Sequence, residues 1–278
     1  MTRLRVAALL VAGLAVTRAS GSRTPERARP AELPRAAPVL AQWIWTERDA
    51  RLFEQERARR PALVPVVLSA TVRPDLTLRR GLSPAVGGEH AGVVVRFEDG
   101  VAGALETRPD VDERLNALFT ELLAETRAAG VAPSEFELDF DAPVRLLPRW
   151  AHAVQRLSRG SLRGFPLWIT SIPAHLETDT YASLFRGAVS GHILQLFDTG
   201  LPATHANAAW LGSRLAALGL PFRVGVAGFE RGRNGVPVTD HRHWARAAST
   251  YATLPGYAGT MIFPAGAPYE AVARVSLR

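Results

Sequence analysis

The chain has 278 residues, 47% of them hydrophobic, which is enough for one large core of the size of a single α/β barrel. Its formal net charge of +7 is concentrated at the start, because residues 1–35 hold seven Arg against Glu26 and Glu32 and so contribute +5, leaving the rest with about +2. The remainder is too balanced for a nucleic-acid-binding surface. The absence of cysteine excludes disulfides, thiolate metal sites and cysteine nucleophiles.

The first segment has the pattern of an export signal. A pair of arginines precedes a small and apolar run over residues 6–16, and small residues allow cleavage after Ala19. The run is shorter than the roughly 20 residues that span a bilayer, so we expect no stable membrane span after processing. We predict a signal peptide over residues 1–19, a disordered leader over residues 20–38, and a periplasmic or secreted protein. An uncleaved anchor or a misassigned start codon is the alternative.

Short apolar runs then alternate with helical patterns over residues 39–278, which favours repeated β/α units. We predict a single (β/α)8 TIM-like barrel over this range. A doubly wound open sheet is the main alternative, but it usually has a glycine-rich turn after the first strand, where residues 46–48 here lead into a helix. The predicted strands cover residues 42–45, 64–69, 92–97, 135–140, 166–171, 192–197, 222–229 and 259–263.

Several helix ends are also predicted. Asp110 and Glu113 resemble a capping box at the start of one helix, and Thr204 is expected to cap another that stops at Gly219. One unit differs from the others, because residues 73–90 contain two Pro and three Gly and have no helical pattern. A hairpin or a long loop is expected there in place of the second barrel helix.

The fourth predicted strand carries three carboxylates, Glu137, Asp139 and Asp141, that alternate with apolar residues. Alternate side chains of a strand share a face, so the apolar set should pack beneath the helices while the acids face the barrel axis and rise towards its carboxyl-terminal mouth. Crowded carboxylates in a partly desolvated mouth raise the pKa of at least one of them, which keeps an acid protonated near neutral pH. The alternative is an edge strand whose acids face water.

Other strand ends supply candidate partners. Asp198 and Glu230 follow the sixth and seventh predicted strands, where a barrel keeps its site, although either acid is alternatively a helix cap or part of a loop salt bridge. Gln195, Trp45 and Thr170 also lie near strand ends and are candidate substrate contacts. No phosphate loop, Gly-x-Ser-x-Gly elbow or His-Glu-x-x-His motif occurs, so we predict neither a metal nor a cofactor.

Two motifs resemble a known family. The Glu-x-Asp-x-Asp motif over residues 137–141 resembles the Asp-x-Asp-x-Glu motif of family 18 glycoside hydrolases, the chitinase-like barrels, and Gln-x-Phe-Asp over residues 195–198 is similar to their Met-x-Tyr-Asp. The resemblance implies that Asp141 takes the position of the general acid, one methylene shorter than the family's Glu. Phe197 would replace a Tyr and lacks the hydroxyl that holds a substrate acetamido group.

A wider resemblance covers most of residues 40–265. The chain is similar to an uncharacterised family of exported bacterial proteins known as domain of unknown function 3142, which implies a glycosidase-like barrel without an established activity. The matching stretches are residues 43–45, 137–141, 167–173 and 193–195.

These patterns predict a glycoside-hydrolase-like protein of the bacterial envelope that acts on a glycan. In this hypothesis Asp141 is the general acid, Asp139 tunes its pKa and orientation, and Glu230 is the second carboxylate. The alternative is a non-catalytic saccharide-binding or scaffold barrel, which the shorter Asp141 and the missing Tyr hydroxyl favour. The expected partner is a carbohydrate or envelope glycan and not a nucleic acid. The predicted substrate contacts are Glu137, Gln195, Asp198, Trp45 and Thr170.

Overall fold

Eight parallel strands close into a barrel in the computed structural model of the protein, which describes residues 37–197, 199–229, 231–233, 236–238 and 241–265. Around the barrel the order is β1, β11, β8, β7, β6, β5, β4 and β2, and pairing of β1 with β2 completes the circle. This confirms the predicted barrel and all eight of its strands. In chain order the strands are β1 (Val39–Ile44), β2 (Val64–Val72), β3 (Leu78–Arg80), β4 (Gly92–Phe97), β5 (Phe136–Asp139), β6 (Leu167–Ser171), β7 (Gly191–Gln195), β8 (Phe222–Ala227), β9 (Arg231–Arg233), β10 (Val236–Val238) and β11 (Tyr257–Phe263).

Helices connect most of the barrel strands. The exception follows β2, where β3 pairs antiparallel with it and a 3₁₀ turn (Pro84–Gly87) leads to β4, so the predicted hairpin replaces the second helix. Within the described ranges, no helix has both the length and the apolar character to cross a membrane. The helices are α1 (Glu47–Arg59), α2 (Val101–Thr107), α3 (Val111–Ala128), α4 (Leu147–Arg159), α5 (Pro173–Leu176), α6 (Tyr181–Phe185), α7 (His205–Leu218) and α8 (His241–Tyr251).

The two predicted helix caps have different outcomes. At α7 the Thr204 side chain accepts a hydrogen bond from the Asn207 N–H at 3.2 Å, and Gly219 ends the helix with a left-handed φ of 61°. At α3 the capping-box prediction is wrong, because Asp110 makes no side-chain cap bond. Its backbone is not extended, as an N-cap requires, and its carboxylate instead accepts from Arg108 at 2.9 Å.

Alternation along β5 separates two chemically different layers. Phe136 and Leu138 point outward into the core beneath the helices, where they share a cluster with Phe119 of α3 and Trp150 of α4. Phe140, just past the strand, also joins this layer, with its ring 5.1 Å from that of Trp150. The carboxylates between them consequently face the barrel interior, in the register that the sequence pattern predicts.

Candidate active site

A cavity of about 130 Å³ opens at the carboxyl-terminal end of the barrel. Asp139 is the last residue of β5, Asp141 follows two residues later, and Gln195 is the last residue of β7, so the strand ends bring the three side chains to this cavity. Trp45, just past β1, lies on the opposite wall. Four of the predicted site residues are therefore gathered where barrel enzymes keep their sites.

A larger cavity of about 540 Å³ lies on the outer surface between α7 and α8. Its described lining consists mainly of small residues such as Ala208, Gly212 and Ala247, with the basic side chains His205 and Arg246, and includes no carboxylate. Size alone does not identify a site, and acid–base chemistry needs titratable groups that converge on one space. The smaller cavity at the barrel mouth is therefore the candidate site.

One wall of the candidate site is aromatic. Trp43 and Trp45 share the inward face of the chain at β1, since they are two residues apart, and both contact Phe263 of β11. The Trp45 and Phe263 ring centroids are 4.5 Å apart, and Phe197 lies 5.9 Å from Trp43. The Arg96 guanidinium lies 5.3 Å from the centroid of the Trp45 ring. Such a wall offers an apolar face to a ligand in the cavity.

The opposite wall holds two carboxylates that share one amide. The Gln195 Nε2 donates to Asp139 Oδ1 at 3.2 Å and to Asp141 Oδ1 at 3.3 Å. Asp139 is only 8% exposed, whereas Asp141 is exposed at the mouth. The shared donor fixes both carboxylates relative to each other, with Asp141 the nearer to an incoming ligand.

Asp139 has an unusual affinity for its proton. Burial, followed by the charge of Asp141, raises the pKa of Asp139 to about 7 from an ordinary value of 3.8. The positive charge of Arg96 and hydrogen bonds from Thr170 and Gln195 act in the opposite direction but do not cancel the effect. A carboxyl that is partly protonated near neutral pH therefore lies directly beside the exposed Asp141.

Glu137 lies beneath the cavity and does not line it. The Trp43 Nε1–H donates to Glu137 Oε2 at 2.5 Å across the barrel. Burial, with a further contribution from Glu135, raises the pKa of Glu137 well above its ordinary value, although Arg223 opposes this. Through the hydrogen bond from Nε1, Glu137 holds Trp43, a residue of the aromatic wall, in place. The sequence predicts that Glu137 contacts the substrate, but it is fully buried and does not reach the cavity.

The barrel interior also holds an ion pair that the sequence reasoning missed. Arg223 of β8 donates through both terminal nitrogens to Glu135, at 2.6 and 2.7 Å, and its guanidinium carbon lies 3.9 Å from the centroid of the Trp168 ring. Both charged side chains are buried. Glu135 precedes Glu137 by two positions, so the same alternation could have placed it on the inward face.

Thr170 lies behind the site rather than in the cavity lining. Its hydroxyl oxygen accepts a hydrogen bond from the Phe140 N–H at 2.9 Å, which makes it a support for the end of β5. The other two predicted acids, Asp198 and Glu230, lie outside the described residues. The pairing of Asp141 with Glu230 therefore stays a prediction. In the described part of the chain, no group of three or more His, Asp or Glu side chains is placed to hold a metal ion.

The fold is shared with solved glycosidase structures. No known family model matches the chain, and no curated protein matches it in sequence. A chitinase from Chromobacterium violaceum superimposes with a TM-score of 0.63 at 13% identity, covering 87% of this chain and 98% of the chitinase. The spore cortex-lytic enzyme of Bacillus cereus gives 0.62 at 11% identity, covering 87% and 74%. A family 18 chitinase from Pseudoalteromonas aurantia gives 0.59 at 11% identity, covering 86% and 99%. These likenesses show that the chain shares its barrel fold with these enzymes.

Proposed function

We propose that the protein is a glycoside hydrolase of the bacterial envelope that acts on a glycan at the barrel mouth. The observation that carries the proposal is the pair of carboxylates bridged by Gln195, one buried with a pKa of about 7 and one exposed, facing an aromatic wall. Glycosidic bonds are cleaved by such carboxyl groups, one of which must be protonated at working pH. The barrel shared with chitinases and a spore cortex-lytic enzyme supports the same class.

In the proposed mechanism Asp141 protonates the leaving glycosidic oxygen. Asp139 is proposed to tune the pKa and orientation of Asp141, because the two carboxyl groups interact through their charges and accept hydrogen bonds from the same Gln195 amide. A second carboxylate must attack carbon or activate water, and Glu230, which follows β8, is the proposed residue, with Asp198 as the next candidate. Phe197 has no hydroxyl to orient a substrate acetamido group, so the proposal does not use a substrate-assisted route.

The substrate and the location follow from separate features. The aromatic wall at Trp45 is proposed to stack on a sugar ring, while Arg96 and Asp99 at the rim supply polar contacts to its hydroxyl groups. The export pattern over residues 1–19 supports a location in the periplasm or outside the cell. The motif resemblance to the exported family of domain of unknown function 3142 supports the location.

The alternative is a barrel that binds saccharide without cleaving it. It is favoured by the side chain of Asp141, which is one methylene shorter than Glu, and by the size of the cavity, which at about 130 Å³ lies below the usual range for ligand pockets. Binding without turnover is the result that would establish it.

The experiment is an activity screen of the purified protein on chitooligosaccharides, peptidoglycan and other envelope glycans, with products separated by chromatography. Given a substrate, Asp141→Asn should lower kcat at least about a hundredfold, the usual scale for a positioned acid. Asp179→Asn is the matched control, because Asp179 is an acid on the surface with its side chain 92% exposed. Equal turnover by the wild type and Asp141→Asn would assign the acid elsewhere.

A further inference from the structure

The backbone around Asp141 is held from both sides by buried side chains of the neighbouring β/α unit. Before it, the Phe140 N–H donates to Thr170 Oγ1 at 2.9 Å. After it, the Ala142 carbonyl oxygen lies 2.7 Å from Nε2 of His175, the third residue of α5. The Ala142 N–H also donates to the Phe140 carbonyl at 2.9 Å, which closes a tight turn with Asp141 at its centre.

The hydrogen bonds define the protonation state of His175. A carbonyl oxygen can only accept, so the Nε2 atom must carry the proton that reaches Ala142. The bare Nδ1 atom is then free to accept from the Ile172 N–H, which lies 3.4 Å away. The ring is 1% exposed and stacks on Tyr181 with centroids 5.7 Å apart. Burial also lowers the pKa of His175, which favours this neutral form.

We propose that His175 is a positioning residue for Asp141, an inference that rests on the proposed role of Asp141 as the general acid. The Nε2–H bond fixes the Ala142 carbonyl, and through one peptide unit it fixes the direction in which the Asp141 carboxylate enters the cavity. His175 touches no substrate, since it lies outside the cavity lining. A general acid must be placed to within a fraction of an ångström, and a displacement of about 1 Å can cost a hundredfold in rate.

Two substitutions of the same chemical type separate positioning from packing. In His175→Gln the longer amide can place an N–H near the Nε2 position and restore the bond to Ala142. In His175→Asn the amide is too short to reach Ala142, although its oxygen can still accept from Ile172. We expect His175→Asn to lower kcat at least about tenfold with KM within about twofold, and His175→Gln to recover most of that loss. An equal loss in both variants, or none in His175→Asn, would overturn the inference.

Nuclear magnetic resonance of the full chain separates this inference from the proposed function. The imidazole nitrogen shifts should identify the Nε2-protonated form of His175 in the wild type. The carboxyl ¹³C resonance of Asp141 should shift in His175→Asn and return towards the wild-type position in His175→Gln. If no glycan is turned over, the proposed function fails while these resonances still test the positioning. A proton on Nδ1 of His175 would overturn the positioning inference. An Asp141 carboxyl resonance that shifts in neither variant would also overturn it.

Discussion

Asp139 should give the stability of the protein a distinct pH dependence. Burial and the charge of Asp141 raise its pKa to about 7 in the fold, whereas the unfolded chain releases the proton near 3.8. Between these values the folded state binds more protons, so this group makes stability fall as pH rises through the window. Asp139→Asn lacks this titrating group and should not lose stability in this way. The free energy of unfolding of Asp139→Asn minus that of the wild type should therefore increase by up to about 4 kcal/mol between pH 4 and pH 8. Urea denaturation at several pH values measures this difference.

Asp75 provides the control for this titration. It is exposed on a loop, and a hydrogen bond from the Thr77 hydroxyl lowers the pKa of Asp75. Its contribution to stability is therefore present above its unfolded pKa and is lost as pH falls. Asp75→Asn should show no gain relative to the wild type on going from pH 4 to 8. Parallel pH curves for Asp139→Asn and the wild type would contradict the buried-acid explanation.

The buried ion pair of Arg223 and Glu135 should make the stability losses from substitutions at these two residues strongly non-additive. Arg223→Met leaves the carboxyl of Glu135 buried without its partner and should cost about 3–5 kcal/mol. The double variant Glu135→Leu/Arg223→Met removes both members of this pair and should recover part of that stability, the remaining loss reflecting the 3.4 Å contact between Arg223 and Glu137. Chemical denaturation of the two single variants and the double variant gives the coupling energy. A double variant that loses the sum of both single effects would contradict the interpretation.

At the level of single residues, the sequence predicted the inward carboxylates but not their supports. Alternation suffices to place Asp139 and Asp141 on one face, because the period of a strand is a local property. The contacts of Thr170 and His175 depend on where separate β/α units meet, 30 and 33 residues away in the chain, and no local pattern encodes them. The same applies to Glu137. Alternation predicts that its side chain faces the barrel interior, but not that it lies below the cavity.

Removing the first polar side chain should cost different amounts of stability at α3 and at α7. Thr204→Ala removes the bond to the Asn207 N–H and should destabilise the protein by about 1 kcal/mol. Asp110→Ala removes only a surface ion pair with Arg108 and should cost less than about 0.5 kcal/mol. Thermal denaturation of the two variants side by side makes the comparison. A larger loss in Asp110→Ala than in Thr204→Ala would show that Asp110 caps α3 in solution.

Strand boundaries differ from the predicted ones where tertiary contacts intervene. β2 extends to Val72, beyond the predicted residue 69, because both β3 and β4 pair with Ala70, Thr71 and Val72. β5 ends at Asp139, one residue earlier than predicted, since the Phe140 N–H donates to the side-chain oxygen of Thr170 rather than to a backbone carbonyl of β6. The apolar runs fix the existence of each strand, while partners distant in sequence determine where its hydrogen bonding stops.

The whole barrel shows how little sequence identity this architecture requires. Chains with 11–13% identity superimpose over 86–87% of this chain, because an outer apolar layer beneath the helices and a filled interior can be built from many residue combinations. Here the interior includes the ionic layer of Glu135 and Arg223 beneath the carboxylates of the mouth. The pattern of strands therefore predicts the fold, while the chemistry depends on a few positions at its mouth.

The export pattern over residues 1–19 predicts where the whole protein is found in a cell. In a Gram-negative host the protein should accumulate in the periplasm and lose residues 1–19, because an apolar run behind a pair of arginines is the form that the secretion machinery recognises. Amino-terminal sequencing and the intact mass of the periplasmic protein measure the cleavage. Leu10→Arg is the control, since a charge in the middle of the run over residues 6–16 should keep the whole chain, with residues 1–19, in the cytoplasm. An intact Met1 on wild-type protein, or equal processing of Leu10→Arg, would contradict the proposed location while leaving the fold and the mouth carboxylates as they are.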